Sequence, residues 1–330
     1  MAVYTKLSKS EIETHLEKYD IGQLVDFKEI LAGIDNSNFI IETEKGRFIL
    51  TIFESRLQGE NLPFFINLKS HLVNKGVACP EPILNKGGLD IVDLKGKKSV
   101  IITFLPGAIL PFREDGYYDN ITAKHCYEIG KVMAKMQVSV LDFKGNRRND
   151  MSVADFRNYF AKFSGFLTDD VTETVFEMDK AAIYDEMLKV IDFLEKNWCS
   201  DLQKGVSHLD LFPDNVFFDE NQELSGVIDF YFAGEDIFVY DLAIIVNAWC
   251  FDENNQFVQE KYDAMLRGYQ EVRELTKEEK EFLPVALIAG SVRFLSTRLH
   301  DMFHTPKDSL VKLKDPREYL EKLRFFSSQA

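Results

Sequence analysis

The pattern of apolar and polar positions divides the chain into a strand-rich first part and a helical second part. Two runs rich in β-branched and aromatic residues, 38–42 and 47–53, lie on either side of a short polar turn and predict a β-hairpin. An apolar stripe over 62–74 predicts a helix that ends before Gly76, since glycine is the usual residue beyond a helix C-terminus.

Three further signals complete the first part. Ser8, followed three residues later by Glu11, forms a capping-box pattern that predicts a short N-terminal helix. A second hairpin is predicted with strands at 90–94 and 99–104. Leu105-Pro106-Gly107 then interrupts the strand pattern and is predicted to be a hinge between two lobes.

Beyond this hinge the apolar spacing is mainly helical. Helices are predicted at 123–138, 153–166, 181–197, 242–249, 256–269, 277–302 and 316–326. The exceptions are 216–218 and 226–228, which are predicted to be short strands joined by a polar turn. A chain of 330 residues also exceeds the usual size of a single core. We therefore predict a bilobal α+β fold with a strand-rich domain at 1–105 and a mainly helical domain at 106–330.

Charge and composition narrow the class of function. The chain has 39 Lys and Arg against 54 Asp and Glu, a formal net charge of −15. Nucleic acids and anionic membranes are bound by basic surfaces, so neither partner is expected. The four cysteines lack metal-ligand spacing, which favours reduced thiols over a zinc site or a disulfide scaffold. With no apolar leader and no uninterrupted membrane span, a soluble cytoplasmic protein is expected.

The strongest chemical signal is the segment 207–215, SHLDLFPDN, followed by Val-Ile-Asp-Phe at 227–230. Phosphoryl transfer needs a carboxylate beside the attacking hydroxyl, together with oxygen ligands for the magnesium ion that bridges the nucleotide phosphates. A hairpin between the two segments brings their polar residues together. We assign Asp210 as the catalytic base and Asn215 with Asp229 as magnesium ligands, and we expect His208 to brace the loop. The alternative is that the acidic residues merely form turns and caps.

Residues 207–230 resemble the catalytic segment of the aminoglycoside phosphotransferase and choline kinase group. Within that group, the closer resemblance is to bacterial homoserine kinases of the phosphotransferase-like type. The segments that carry it are 33–39, 46–54, 62–65, 229–234, 240–243, 247–251 and 293–299. The resemblance implies a protein-kinase-like fold, ATP and Mg²⁺ as cofactors, and a small-molecule amino-acid substrate; it implies nothing about oligomeric state.

The resemblance also implies a nucleotide site in the first lobe. Gly33, Asn36, Ser37 and Asn38 would form the loop that covers the phosphates, although a plain polar turn is the alternative. Backbone groups of the hinge, including those of Thr103 and Leu105, would contact the adenine, unless this segment is only a buried strand end.

One expected residue is absent. The strand at 47–53 would supply a lysine to the phosphates, but Thr51 occupies the corresponding position, as in the homoserine kinases that the chain resembles. Arg47, Arg56, Lys97 and magnesium itself are the candidates for neutralising the phosphates.

The acceptor site is predicted from charge. An amino-acid substrate needs a cation for its carboxylate, and Arg293 and Arg298 lie in an otherwise apolar helix. One of them would bind the substrate, or each would pair internally with an acid such as Asp241 or Asp301. Asp214 and Asp236 are candidates for the ammonium group. Trp249, Phe232 and Tyr231 are candidates for the wall of the pocket.

The resulting hypothesis is an ATP- and magnesium-dependent kinase that phosphorylates the side-chain hydroxyl of L-homoserine, a step of threonine biosynthesis. One alternative keeps the chemistry but changes the acceptor to a choline-like amino alcohol or an aminoglycoside. Another alternative, which the absent lysine keeps open, is a kinase-like binding protein without catalysis.

Overall fold

The fold has a β-sheet region followed by a helical region. A computed structural model describes residues 4–31, 36–54, 61–112, 118, 120–168, 179–305 and 313–329. The first region contains a five-stranded antiparallel sheet of order β1-β2-β3-β5-β4. Its elements are α1 (Lys9–Leu16), β1 (Leu24–Ile30), β2 (Asn36–Thr43), β3 (Gly46–Phe53), α2 (Leu62–Asn74), β4 (Val92–Leu94) and β5 (Lys97–Thr103).

The two faces of this sheet pack against different helices. Alternation along β2 and β3 places apolar side chains on one face against α1, namely Phe39, Ile41, Leu50 and Ile52. On the other face, Phe53 and Val100 pack against Leu62 and Ile66 of α2. The second face is the one that meets the helical region, because Tyr231 packs against this cluster.

The helical region surrounds two small antiparallel β-pairs. Its helices are α3 (Ala123–Ser139), α4 (Phe156–Ala161), α5 (Ser164–Thr168), α6 (Lys180–Asn197), α7 (Phe238–Trp249), α8 (Gln259–Gln270), α9 (Lys277–His304) and α10 (Arg317–Ser327). Its strands are β6 (Lys204–Ser207), β7 (Val216–Phe218), β8 (Leu224–Val227) and β9 (Gly234–Ile237). β6 pairs with β9, and β7 pairs with β8.

The predicted mixture of strands and helices is confirmed, with local differences. The predicted helix at 153–166 is divided into a 3₁₀ turn, Val153–Asp155, and the short helices α4 and α5. Three strands were not predicted: β1, β6 and β9. β1 is half exposed and carries three charged residues, so it lacks the apolar alternation of a typical strand. The four cysteines carry free thiols, and Cys199 alone of them is not fully buried.

The predicted hinge at Leu105-Pro106-Gly107 is attached to the β7–β8 hairpin. Ser225 Oγ donates a hydrogen bond to the Pro106 carbonyl oxygen at 2.7 Å, and the backbones of Ala108 and Phe218 exchange two hydrogen bonds. Gly107 has φ +87°, and a Cβ there would lie 2.3 Å from the Phe218 carbonyl oxygen. Glycine is therefore required at this position. The division of the chain into domains at residue 105 stays a prediction.

α9 is the one described helix that is long and apolar enough to cross a membrane by length and composition. It contains 28 residues, and 72% of its most apolar window is buried inside the protein. α9 packs against α7 and α10, as the core helix of a globular protein does.

A buried histidine predicts acid sensitivity of the fold. His15 on α1 is 1% exposed, and burial lowers its pKa from 6.5 to about 4. Below pH 6.5 the unfolded chain therefore binds the proton more readily, and stability should fall as the pH drops from 6.5 to 4. His15→Leu should remove up to about 3 kcal/mol of this loss. Urea unfolding at pH 7.5 and pH 5 measures the effect, with His304→Leu at an exposed site as control. Equal acid sensitivity of wild type and His15→Leu would contradict the prediction.

Candidate active site

The segment between β6 and β7, residues 208–215, is the predicted catalytic loop, and a buried carboxylate fixes it. Asp241, in the first turn of α7, is fully buried and accepts hydrogen bonds from the backbone N–H groups of His208 and Leu209, both at 2.9 Å. Leu209 has φ +64°, a conformation that costs free energy for a residue with a side chain. Asp241 therefore holds the backbone in a strained shape that presents the next residue, Asp210.

His208 braces the same loop, as the sequence predicted. Its Nε2 donates to the carbonyl oxygen of Ile228 at 3.0 Å, and its Nδ1 accepts from the N–H of Asp210 at 3.3 Å. The ring also packs against Phe230, with centroids 4.8 Å apart. Burial lowers the pKa of His208 to about 4, so the imidazole is neutral and serves to connect the two polar segments.

The three residues predicted for catalysis and metal binding come together. Asn215 Nδ2 donates to the backbone oxygen of Asp210 at 2.8 Å and lies 3.4 Å from its Oδ2. The Asn215 Oδ1 makes no hydrogen bond within the described part of the chain. Asp229 follows β8 with φ +62°, and its side chain is exposed. The N–H of Ile228 donates to the backbone oxygen of Asn215 at 2.9 Å, which closes the site between the two segments.

The electrostatics of the site favour a bound cation. Burial, followed by the charge of Asp229, raises the pKa of Asp210 to about 8, whereas the charge of Arg293 lowers it. An amide oxygen and carboxylates are ligands that suit magnesium. Among the described residues there is no group of three or more His, Cys, Asp and Glu side chains arranged to hold a metal. The Asn215 Oδ1, which accepts no hydrogen bond from a described residue, and the Asp229 carboxylate would be the protein ligands of a magnesium ion. Phosphates and water would supply its other ligands.

The predicted phosphate loop is divided between two faces of the sheet. Asn36 and Asn38 lie on the face that carries Phe53, opposite Phe53 and Thr51 respectively. The Thr51 hydroxyl donates to Asn38 Oδ1 at 2.8 Å, and Asn36 Oδ1 is buried without a hydrogen-bond partner. These two asparagines stay candidates for the nucleotide site. Gly33 lies outside the described residues.

The prediction for Ser37 is wrong. β2 already includes Asn36, so alternation turns Ser37 to the opposite, fully buried face. Its hydroxyl accepts from the N–H groups of Tyr4 and Thr5, at 2.9 and 3.0 Å, and donates to Glu54 at 2.7 Å. This hydroxyl fixes the N-terminal segment and is not available to a phosphate.

Thr103 and Leu105 of the predicted hinge differ in whether their hydrogen-bonding groups are already engaged within the protein. The Thr103 N–H donates to the Glu81 carbonyl oxygen, and its hydroxyl accepts from the Glu81 N–H, both at 2.9 Å. By contrast, the backbone groups of Leu105 have no hydrogen-bond partner in the described part of the chain. Leu105 is therefore better placed than Thr103 to bind an adenine edge through its backbone.

Two of the basic residues considered for phosphate neutralisation are engaged elsewhere. Lys97 pairs with Glu54, and the Arg47 guanidinium lies over the ring of Phe104, 4.9 Å from its centroid. Arg56 lies outside the described residues. Sequence reasoning overlooked Lys69, which is 5% exposed on the inner face of α2. Its ammonium lies 5.9 Å from the centroid of the Tyr231 ring, and burial lowers its pKa to about 8.

The structure separates the residues predicted for the acceptor. Arg293 is 2% exposed, its Nη1 has no hydrogen-bond partner, and its charge lowers the pKa values of Asp210, Asp236 and Asp241. Arg298 instead lines a cavity of about 370 Å³. Asp214 is half-buried and lies 3.7 Å from Lys314, another residue of that cavity.

The prediction that Trp249 walls the pocket is wrong. Its side chain is fully buried, and its indole N–H donates to the carbonyl oxygen of Leu211 at 2.8 Å. Trp249 therefore supports the catalytic loop from the core, while its neighbour Ala248 lines the cavity.

The chain is similar to known proteins over nearly its whole length. Homoserine kinases from Brucella anthropi and Xanthobacter autotrophicus are each 41% identical over 325 residues, which is 98% of this chain and 94% and 96% of theirs. Amicoumacin kinase hAmiN, solved with AMP-PNP, Ca²⁺ and Ami, has the same fold. The two structures superpose with a TM-score of 0.65 at 16% sequence identity, and the superposition covers 98% of this chain and 93% of the kinase chain. Residues 26–275 match the phosphotransferase enzyme family (APH), and the chain belongs to this family.

Proposed function

We propose that the protein transfers the terminal phosphoryl group of ATP to the side-chain hydroxyl of L-homoserine, with ADP and O-phospho-L-homoserine as products. The observation that carries the proposal is the similarity of nearly the whole chain to homoserine kinases at 41% identity. The grouping of Asp210, Asn215 and Asp229 supports it, because these are the side chains that phosphoryl transfer requires.

The chemistry of the site follows from Asp210. Asp241 and His208 fix the backbone on which Asp210 stands, so its carboxylate is already oriented before the substrate binds. The carboxylate accepts the proton of the acceptor hydroxyl as the hydroxyl oxygen attacks the terminal phosphorus and the bond to the ADP oxygen breaks. A raised pKa makes Asp210 a stronger base than an ordinary carboxylate.

The nucleotide site uses both regions of the fold. Asn215 and Asp229 would hold Mg²⁺, which neutralises charge on the phosphates when it is bound. Asn36 and Asn38 are the side chains of the sheet that we assign to the phosphates, and the Leu105 backbone is assigned to the adenine.

A coupled assay of ADP release tests the function directly. L-Homoserine, choline and kanamycin are supplied in parallel at equal ATP and magnesium concentrations, and the phosphorylated product is identified by ³¹P NMR. We expect ADP release to depend on L-homoserine alone. Preference for choline or kanamycin would assign another acceptor, and no stimulation by any of the three would exclude the proposed kinase activity.

A further inference from the structure

A charged cavity lies beside the catalytic loop, on the side of α9 and α10. Phe212, two residues after Asp210, forms part of its wall. Lys314 also lines it and lies 3.7 Å from the carboxylate of Asp214, four residues after Asp210. A small acceptor held in this cavity would therefore lie beside the loop that carries the catalytic base.

The cavity carries more positive than negative side chains, although the whole chain has a net charge of −15. Four basic and three acidic residues line it: Lys261, Arg298, Lys314, Lys322, Asp252, Glu253 and Glu318. Lys314 lies 3.7 Å from the Asp214 carboxylate, which offsets its charge. The cation left for an anionic group therefore belongs to the cluster of Arg298, Glu318 and Lys322.

Arg298 is the residue best suited to bind that anion. Its Nη1 donates to Glu318 Oε2 and to the carbonyl oxygen of Asp315, both at 2.6 Å. Its other guanidinium nitrogens donate no hydrogen bond to any described residue, although the side chain is only 10% exposed. These nitrogens are not fully buried, and the guanidinium lies over the ring of Tyr319, 4.5 Å from its centroid. Its open edge can donate a pair of parallel hydrogen bonds to a ligand carboxylate.

Glu318 does not neutralise Arg298 fully. Its other oxygen accepts from Lys322 at 2.5 Å, so two cations share one carboxylate. Burial raises the pKa of Glu318, but the charges of Lys322 and Arg298 outweigh this effect and lower it to about 2. The three side chains therefore hold one net positive charge in a nearly buried place, and a ligand carboxylate would compensate it.

We propose that Arg298 binds the α-carboxylate of the acceptor and thereby selects an amino acid over an amino alcohol. The inference rests on the proposed function and names the recognition element of its acceptor site. Asp252 and Glu253, on the same cavity, provide carboxylates for the α-ammonium group. Choline and aminoglycosides lack a carboxylate and would leave Arg298 without its ligand.

A substrate that lacks the carboxylate distinguishes loss of carboxylate binding from a general effect of the substitution on folding. 3-Aminopropan-1-ol is L-homoserine with its carboxylate replaced by hydrogen. In Arg298→Met we expect kcat/KM for L-homoserine to fall about 100-fold or more, and kcat/KM for 3-aminopropan-1-ol to change little. A purely structural role would lower both values in proportion. Arg298→Lys keeps the positive charge and should restore part of the preference for L-homoserine over 3-aminopropan-1-ol.

The control is Arg324→Met, which removes an exposed arginine that pairs with Glu186 outside the cavity. It should keep the wild-type preference. Equal losses on both substrates in Arg298→Met, or no loss on L-homoserine, would overturn the inference.

Calorimetric measurement of binding tests the role of Arg298 without catalytic turnover. Calorimetry should show that wild type binds L-homoserine more tightly than 3-aminopropan-1-ol, and that Arg298→Met abolishes the difference. Absence of homoserine-dependent ADP release by wild type would refute the proposed function, whereas equal binding of both compounds by wild type would refute the role of Arg298.

Discussion

Asp210→Asn is expected to lower kcat by about 1000-fold while leaving the KM for ATP nearly unchanged. Asparagine has the same size as aspartate, and the backbone oxygen that accepts from Asn215 Nδ2 is retained. The substitution therefore removes the proton acceptor without removing the loop. Initial rates of ADP release over a range of ATP and L-homoserine concentrations measure both parameters.

A matched control lies on the adjacent hairpin. The exposed Asp219 carboxylate accepts from the backbone N–H groups of Asn221 and Glu223, and asparagine replaces aspartate well in such a turn. Asp219→Asn should keep the wild-type kcat. A loss of less than about tenfold in Asp210→Asn would show that Asp210 is not the base, since general-base catalysis contributes at least that much.

The catalytic segment could be predicted because its geometry is local. Asp210, Asn215 and Asp229 belong to one loop and one hairpin, and pairing of β7 with β8 brings the two segments together. The capping box at Ser8 and the end of α2 before Gly76 are local in the same sense. Such features depend on residue type and spacing, which a sequence displays directly.

The errors arise where position depends on register or on distant packing. Whether Ser37 faces the phosphates or the core depends on the residue at which β2 begins, because a shift of one residue reverses every side chain. Trp249 could have served as a pocket wall from its position in the sequence, yet packing of α7 buries it. Lys69 was overlooked, although a lysine among apolar residues at helical spacing is a visible signal.

The two arginines of α9 were indistinguishable in the sequence, and the structure gives them different surroundings. Arg298 lines the cavity, whereas Arg293 faces the acidic residues behind the catalytic loop. The difference is one of helix face: five residues along an α-helix turn a side chain by more than a quarter of a circle. The two residues should therefore affect different kinetic parameters.

Arg293→Met is expected to lower kcat/KM at pH 7 by about tenfold and to destabilise the fold by about 3 kcal/mol. The charge of Arg293 lowers the pKa of Asp210, so its removal raises that pKa and leaves less ionised carboxylate at pH 7. The rise of kcat/KM with pH should accordingly shift to higher pH. Asp236 and Asp241 also lose a compensating charge, and Asp241 supports the strained loop.

The pH profile and urea unfolding together distinguish this role from substrate binding. Methionine fills much of the volume of arginine, and Arg293→Lys should restore both the wild-type profile and most of the stability because it returns the charge. Since Arg293 is 2% exposed, preference for L-homoserine over 3-aminopropan-1-ol should persist in Arg293→Met, in contrast to Arg298→Met. Loss of that preference with an unshifted pH profile would instead place Arg293 against the substrate carboxylate.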